Sequence, residues 1–151
     1  MSKRLGRAAV IAAIYTTLCV VPGLSALSFG PIQFRVAESM TLLPILFPEA
    51  IGGLFVGAFL ANLTGPIGLI DAVWGSLATL VAALLTYRLR RTRWAPWPPV
   101  LVNAFGVALY LRLYYGLPYW LTALGIGIGQ AAVVFTLGRL LVRKLRETNL
   151  V

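Results

Sequence analysis

Six polar side chains stand out in a chain that is 60% hydrophobic and only 11% charged: Gln33, Arg35, Glu38, Asn62, Asp71 and Asn103. Their types suit recognition rather than reaction. A carboxylate accepts from adjacent N–H donors, and an amide or guanidinium donates to a carbonyl, with no metal or covalent intermediate required. Arg35 and Glu38 lie three residues apart, so at a helix start they share a face and either pair with each other or touch a ligand. Asp71 follows the Gly-Pro turn of NLTGPIGLID and enters an apolar segment. An ionisable group there is a functional candidate by default, and a carboxylate facing headgroups is the alternative. Asn62 either caps a helix end or contacts ligand. Asn103 sits inside an apolar run and must find a partner in protein, water or ligand. With no histidine, one cysteine (Cys19) and four carboxylates, there is little from which to build a metal site or an acid–base dyad. No catalytic residue, metal or cofactor is assigned, and the reading is that of a non-enzyme.

The elements that must hold these residues are membrane helices. Between Arg7 and Arg35 run 27 uncharged residues, and a helix from about Leu5 to Leu27 would cross a hydrocarbon core roughly 30 Å thick. A signal peptide is the alternative reading of this start, but the apolar run exceeds a usual h-region. Two short helices are expected at 36–47 and 50–63, separated by a turn at Pro48 and Glu49. Three longer segments follow, Ile67 to Tyr87, Pro98 to Gly116, and Pro118 to about Arg139. The fold class is therefore an all-α integral membrane protein, a six-helix bundle with helices two and three short. One domain spans residues 1–151, with no linker, repeat or low-complexity tail.

Charge distribution orients the bundle. Eleven of the 13 basic residues fall in three clusters: Lys3, Arg4 and Arg7; Arg88, Arg90, Arg91 and Arg93; and Arg139, Arg143, Lys144 and Arg146. Such clusters mark cytoplasmic flanks. Placing all three inside puts both termini in the cytoplasm of a multi-pass cell-membrane protein, bathed in lipid, and leaves Arg35, Glu38, Asp71 and Arg112 near the outer face. The net charge of +9 is too segregated at span ends to indicate nucleic acid. Arg112 lies among Tyr110, Tyr114, Tyr115, Tyr119 and Trp120, a composition that fits either an interfacial aromatic belt or the border of an aromatic ligand. Small residues recur four apart at Ala8 and Ala12, at Ala9 and Ala13, at Gly53 and Gly57, and at Gly125 and Gly129. That spacing permits close helix approach, within the chain or to another subunit.

The strings FGPIQFRVAESMTLLP (29–44), ANLTGPIGLIDAVWGSLATLVAALLT (61–86) and PPVLVNAFGVAL (98–109) resemble the QueT family. Its members are proposed queuosine-precursor transporters, the substrate-binding S components of energy-coupling factor importers. The resemblance implies capture of a 7-deazaguanine solute, and partnership with a transmembrane coupling subunit and two ATPase subunits. It also implies a coupling surface at Ala8, Ala9, Ala12 and Ala13. For such a base, Glu38 is the first choice to accept from N1–H and the exocyclic amine, and Asp71 the second. Gln33, Arg35, Asn62 or Asn103 would donate to O6. The alternatives are an S component for another vitamin or nucleobase-like solute, and a membrane scaffold or assembly subunit without a solute site.

Overall fold

The computed structural model describes residues 2–21, 34–65 and 68–148, and among these every regular element is helical. Six helices result. Helix α1 is Lys3–Val20, α2 is Val36–Ile45, α3 is Ala50–Leu63 and α4 is Leu69–Arg88. Helix α5 covers 97–115 and α6 is Tyr119–Glu147. The two short central helices fall within two residues of their expected bounds. The first and last do not. Helix α1 stops at Val20 because Val21 turns extended (φ −57°, ψ 129°) ahead of Pro22, and a residue before proline is pushed out of the α region. The remainder of the anticipated span, to Leu27, lies outside the described residues. Helix α6 runs on past Arg139 to Glu147, carried by the i,i+4 pair Arg143–Glu147 and the i,i+3 pair Lys144–Glu147.

Two windings depart from the α-helix. Helix α2 is a 3-10 helix ten residues long, beginning with Glu38 N–H on the Arg35 carbonyl at 3.0 Å. Three residues per turn stack Arg35, Glu38, Thr41 and Pro44 in one row. The other departure is a wider π-type turn, at Asn103–Val107 in α5 and at Val134–Gly138 in α6. In the first of these the Gly106 carbonyl accepts from Trp74 Nε1 at 3.0 Å.

Packing inverts the pattern of a soluble domain. Helix α4 turns Asp71, Gly75, Ala78, Ala82 and Thr86 inward while Val73, Trp74, Leu77, Val81 and Leu84 stay exposed. On α6, Leu121 is 70% exposed and Leu124 61%. Small and polar residues thus face protein, and large apolar ones face outward. Helices Leu69–Arg88 and Tyr119–Glu147 are each long and apolar enough to cross a membrane. Together these features assign the chain to the membrane.

Helix α2 is the core element, enclosed by α1, α3, α4 and α6 and buried on nearly all sides. Helix α1 reaches it by seating directly on α3. A Cβ built on Gly53 would lie 2.6 Å from the Ala8 carbonyl oxygen, and one on Gly57 would lie 2.9 Å from that of Ala12. Ala8 and Ala12 therefore face α3 within the chain, whereas Ala9 and Ala13 are exposed on the other side of α1.

The basic clusters converge on one end. Arg7 bridges Glu49 at 2.7 Å and covers the Phe47 ring, which ties the start of α1 to the α2–α3 turn. A cleft of about 300 Å³ brings Pro96, just beyond the central cluster, together with Arg139, Arg143 and Arg146. Asp71 in the first turn of α4 and Arg88 in its last are separated by about 25 Å. The interior carboxylate of α4 is thus far from the basic end.

Candidate functional site

Two carboxylates are buried in the bundle, Glu38 at 2% exposure and Asp71 at 3%. Glu38 projects from the first turn of α2 and gathers donors from three other helices. Tyr15 Oη of α1 donates to Oε1 at 2.5 Å, Gln130 Nε2 of α6 donates to Oε2 at 2.8 Å, and Asn103 Nδ2 of α5 donates to Oε2 at 3.3 Å. The 3-10 winding fixes its backbone as well, since the Thr41 hydroxyl donates to the Glu38 carbonyl at 2.6 Å.

Asp71 is bound differently. The Tyr110 hydroxyl donates to Oδ1, and Arg35 Nη2 approaches Oδ2 at 3.9 Å, an ionic contact too long for a hydrogen bond. Asn62, at the end of α3, donates Nδ2 to the Asp71 backbone carbonyl at 3.3 Å. Gly75, one turn further along α4, leaves the room that this amide occupies: a Cβ there would collide with Asn62 Nδ2. Asn62 Oδ1 and Asp71 Oδ2 are fully buried and accept no hydrogen bond among the described residues. The third such atom, Thr86 Oγ1, lies fifteen residues along α4 from Asp71, about 22 Å away, and is separate from this group.

Arg35 stands between the two acids, within electrostatic reach of both. Its 3-10 register with Glu38 places the pair in one row, in line with their three-residue spacing. Two carboxylates facing one guanidinium in a desolvated interior favour a ligand that brings N–H donors or positive charge over an anion. The Trp74 ring packs 6.1 Å from that of Tyr110 on the outer side of α4.

Of the six residues picked out by sequence, Arg35, Glu38, Asn62, Asp71 and Asn103 meet in this polar interior. Gln33 lies outside the described residues. Arg112 is exposed on α5, away from the buried group. Three partners of the acids are not among those six: Tyr15, Tyr110 and Gln130. Gln130 carries a usable signal. It is the one amide in the apolar stretch 118–147, and the reasoning applied to Asn103 applies equally to it. Tyr110 groups by sequence with the belt aromatics, yet it is wholly buried while its neighbours Tyr114 and Tyr115 are exposed.

Comparison with known proteins supplies context for this geometry. A family model described as QueT transporter matches residues 5–147. A relative from Lactococcus lactis subsp. cremoris (strain MG1363), the queuosine precursor transporter QueT, is 30% identical over 153 aligned residues, which span 91% of this chain and 88% of that protein. No solved structure matches.

Proposed function

The chain belongs to the QueT transporter family, and from that premise we propose that it is the substrate-capturing S component of an energy-coupling factor importer, taking a queuosine precursor with a 7-deazaguanine base. The observation that carries this reading is the buried polar group around Glu38 and Asp71, set in a bundle whose outer faces are apolar. A polar interior of this kind in a membrane protein marks a solute site by default. No covalent step is involved. The side chains bind and orient the base, and the enclosing helices keep water out.

The whole chain acts as one bundle that crosses the membrane six times, with both termini cytoplasmic. Convergence of the basic residues near Arg7, Pro96 and Arg143 at one end supports that orientation, because clustered Lys and Arg resist translocation. The solute then enters from the opposite, outer end. A transmembrane coupling subunit and two ATPase subunits complete the importer. The coupling subunit meets α1 on its outward side, at Ala9 and Ala13, while Ala8 and Ala12 serve the seat on α3. ATP binding in the partners shifts the bundle between outward and inward exposure through differential contacts with the two states.

A thermal-shift and binding panel on the protein in nanodiscs tests the ligand. Cyano- and aminomethyl-7-deazaguanine are expected to stabilise it, by about 2.7 kcal/mol at a hundredfold excess over Kd, whereas riboflavin and thiamin leave it unchanged. Stabilisation by a flavin or thiamin alone would move the assignment to another S component, and no response to any small molecule would point to a scaffold. Uptake into proteoliposomes should require co-reconstitution with the coupling and ATPase subunits.

A further inference from the structure

Among the described residues, hydrogen-bond donors are divided unequally between the two acids, three on Glu38 and one on Asp71. Both oxygens of Glu38 are engaged, by one phenol and two amides from three different helices. With one donor on Oε1 and two on Oε2, Glu38 keeps at most one acceptor site, on Oε1, and a ligand N–H there would crowd the contacts that join four helices. Asp71 and Asn62 are in the opposite condition. Each has spent its other polar atom on a neighbour, Asp71 Oδ1 on Tyr110 and Asn62 Nδ2 on the Asp71 carbonyl, and each retains one buried acceptor without a hydrogen bond among the described residues. Buried acceptors left in that state are disfavoured unless a partner arrives.

The two acceptors also belong together. Asn62 is anchored to Asp71's own backbone, and Gly75 holds its amide in place: nitrogen toward α4, carbonyl oxygen away from it. Asp71 Oδ2 faces the guanidinium of Arg35, and Asn62 Oδ1 belongs to an amide anchored on the same turn of α4.

Resting on the reading of this polar interior as a deazaguanine site, we propose that Asp71 Oδ2 and Asn62 Oδ1 together read the two adjacent donors of the base, N1–H and the 2-amino group, and that Glu38 organises the helices without touching the base. The pair then determines specificity. A 2-amino-6-oxo edge offers donor beside donor to two acceptors. The pyrimidine-dione edge of a flavin flanks its single N–H with carbonyls and sets acceptor against acceptor, and a base lacking the 2-amino group leaves one acceptor unpaired. A missing hydrogen-bonding group opposite a buried polar partner is the most strongly rejected kind of change.

The experiment varies the ligand and the protein together. Binding of 7-cyano-7-deazaguanine and of its analogue without the 2-amino group is measured by calorimetry in nanodiscs, on the intact chain and on Asn62→Ala, Asp71→Asn and Glu38→Gln. The unaltered protein is expected to prefer the 2-amino compound by about tenfold or more. That ratio should fall toward unity in Asn62→Ala and in Asp71→Asn, and should survive in Glu38→Gln even as its thermal stability drops. The Asn62 variant leaves the Arg35–Asp71 contact intact, so it gives an answer if Asp71→Asn fails to fold. A ratio unchanged in Asn62→Ala, or one that collapses only in Glu38→Gln, overturns the assignment while leaving deazaguanine capture standing. An unaltered protein that binds neither compound overturns the functional reading itself, and this inference with it.

Discussion

Glu38 and Asp71 begin from the same chemistry and end in opposite conditions. Each is a carboxylate buried beyond nine-tenths, and each receives a tyrosine hydroxyl. Around Glu38 the donors arrive from α1, α5 and α6, so the acid is the point at which helices distant in sequence are pinned together. Around Asp71, Oδ2 meets Arg35 only at ionic distance, and neither it nor Oδ1 of the neighbouring Asn62 accepts a hydrogen bond among the described residues. The difference teaches that burial alone does not mark a binding residue. In a lipid-embedded interior an unpaired polar group is costly. Three donors on Glu38 therefore support a structural role for that acid, and the acceptors without a hydrogen bond support the ligand contact proposed at Asp71 and Asn62.

The largest effect should come from emptying the Glu38 site. Glu38→Ala strands a phenol and two amides in an apolar interior, and each buried donor left unpaired costs about 1–3 kcal/mol. Unfolding measured in detergent micelles should show that loss for Glu38→Ala and a smaller one for Asp71→Ala, which strands one phenol in place of three donors and leaves Glu38 within electrostatic reach of Arg35. Equal losses at the two positions would erase the distinction drawn between them.

Two glycines sharpen the same contrast at a smaller scale. Gly57 lets α1 seat on α3, and a Cβ there would press on the Ala12 carbonyl at 2.9 Å and on Tyr15 Cβ at 3.0 Å. Gly57→Ala therefore acts on the Glu38 side by shifting the helix that carries Tyr15. It is expected to destabilise the protein by about 1–3 kcal/mol while the preference for the 2-amino base persists. Gly75→Ala acts on the Asp71 side, because its Cβ enters the space of the Asn62 amide. That substitution should weaken base binding about tenfold, the equivalent of one hydrogen bond, and blunt the preference, with the milder change in unfolding. Gly52→Ala is the control. It sits in the same helix as Gly57 with open space where the added methyl would go, and exchanging glycine for alanine there should stabilise by about 0.5–1 kcal/mol.

How much of this is legible in the sequence depends on the kind of signal. The short helices α2 and α3 and the bounds of α4 and α5 can be read because proline, glycine and charge punctuate them within a residue or two. The end of α1 is overrun because Pro22 sits in an uncharged stretch, where hydropathy gives no warning. Helix α6 is cut short when Arg139, Arg143, Lys144 and Arg146 are read as a flank, although alternating them with Leu140, Leu141 and Leu145 and pairing them with Glu147 keeps the chain helical. Of the site, the scarce polar residues in an apolar chain announce themselves. The choice between the two acids does not. It depends on the 3-10 winding of α2 and the wide turn at Asn103, which set who reaches Glu38, and neither departure from 3.6 residues per turn leaves a periodicity to detect.

The remaining carboxylates provide the baseline against which both interior acids are judged. Glu147 meets Arg143 at 2.9 Å and Lys144 at 3.2 Å, with all three side chains largely open to solvent. Close approach by two cations would make this the strongest acid site in the molecule if distance alone decided. Exposure decides instead, because water and salt screen the attraction and three long side chains must be held in place. Glu147→Gln should therefore change unfolding by no more than about 0.5 kcal/mol, and that small difference should vanish in high salt, whereas the loss in Glu38→Ala should persist there. A salt-insensitive loss at Glu147 comparable with that at Glu38 would show that hydrogen bonding in the buried interior is not what distinguishes the acids of this protein.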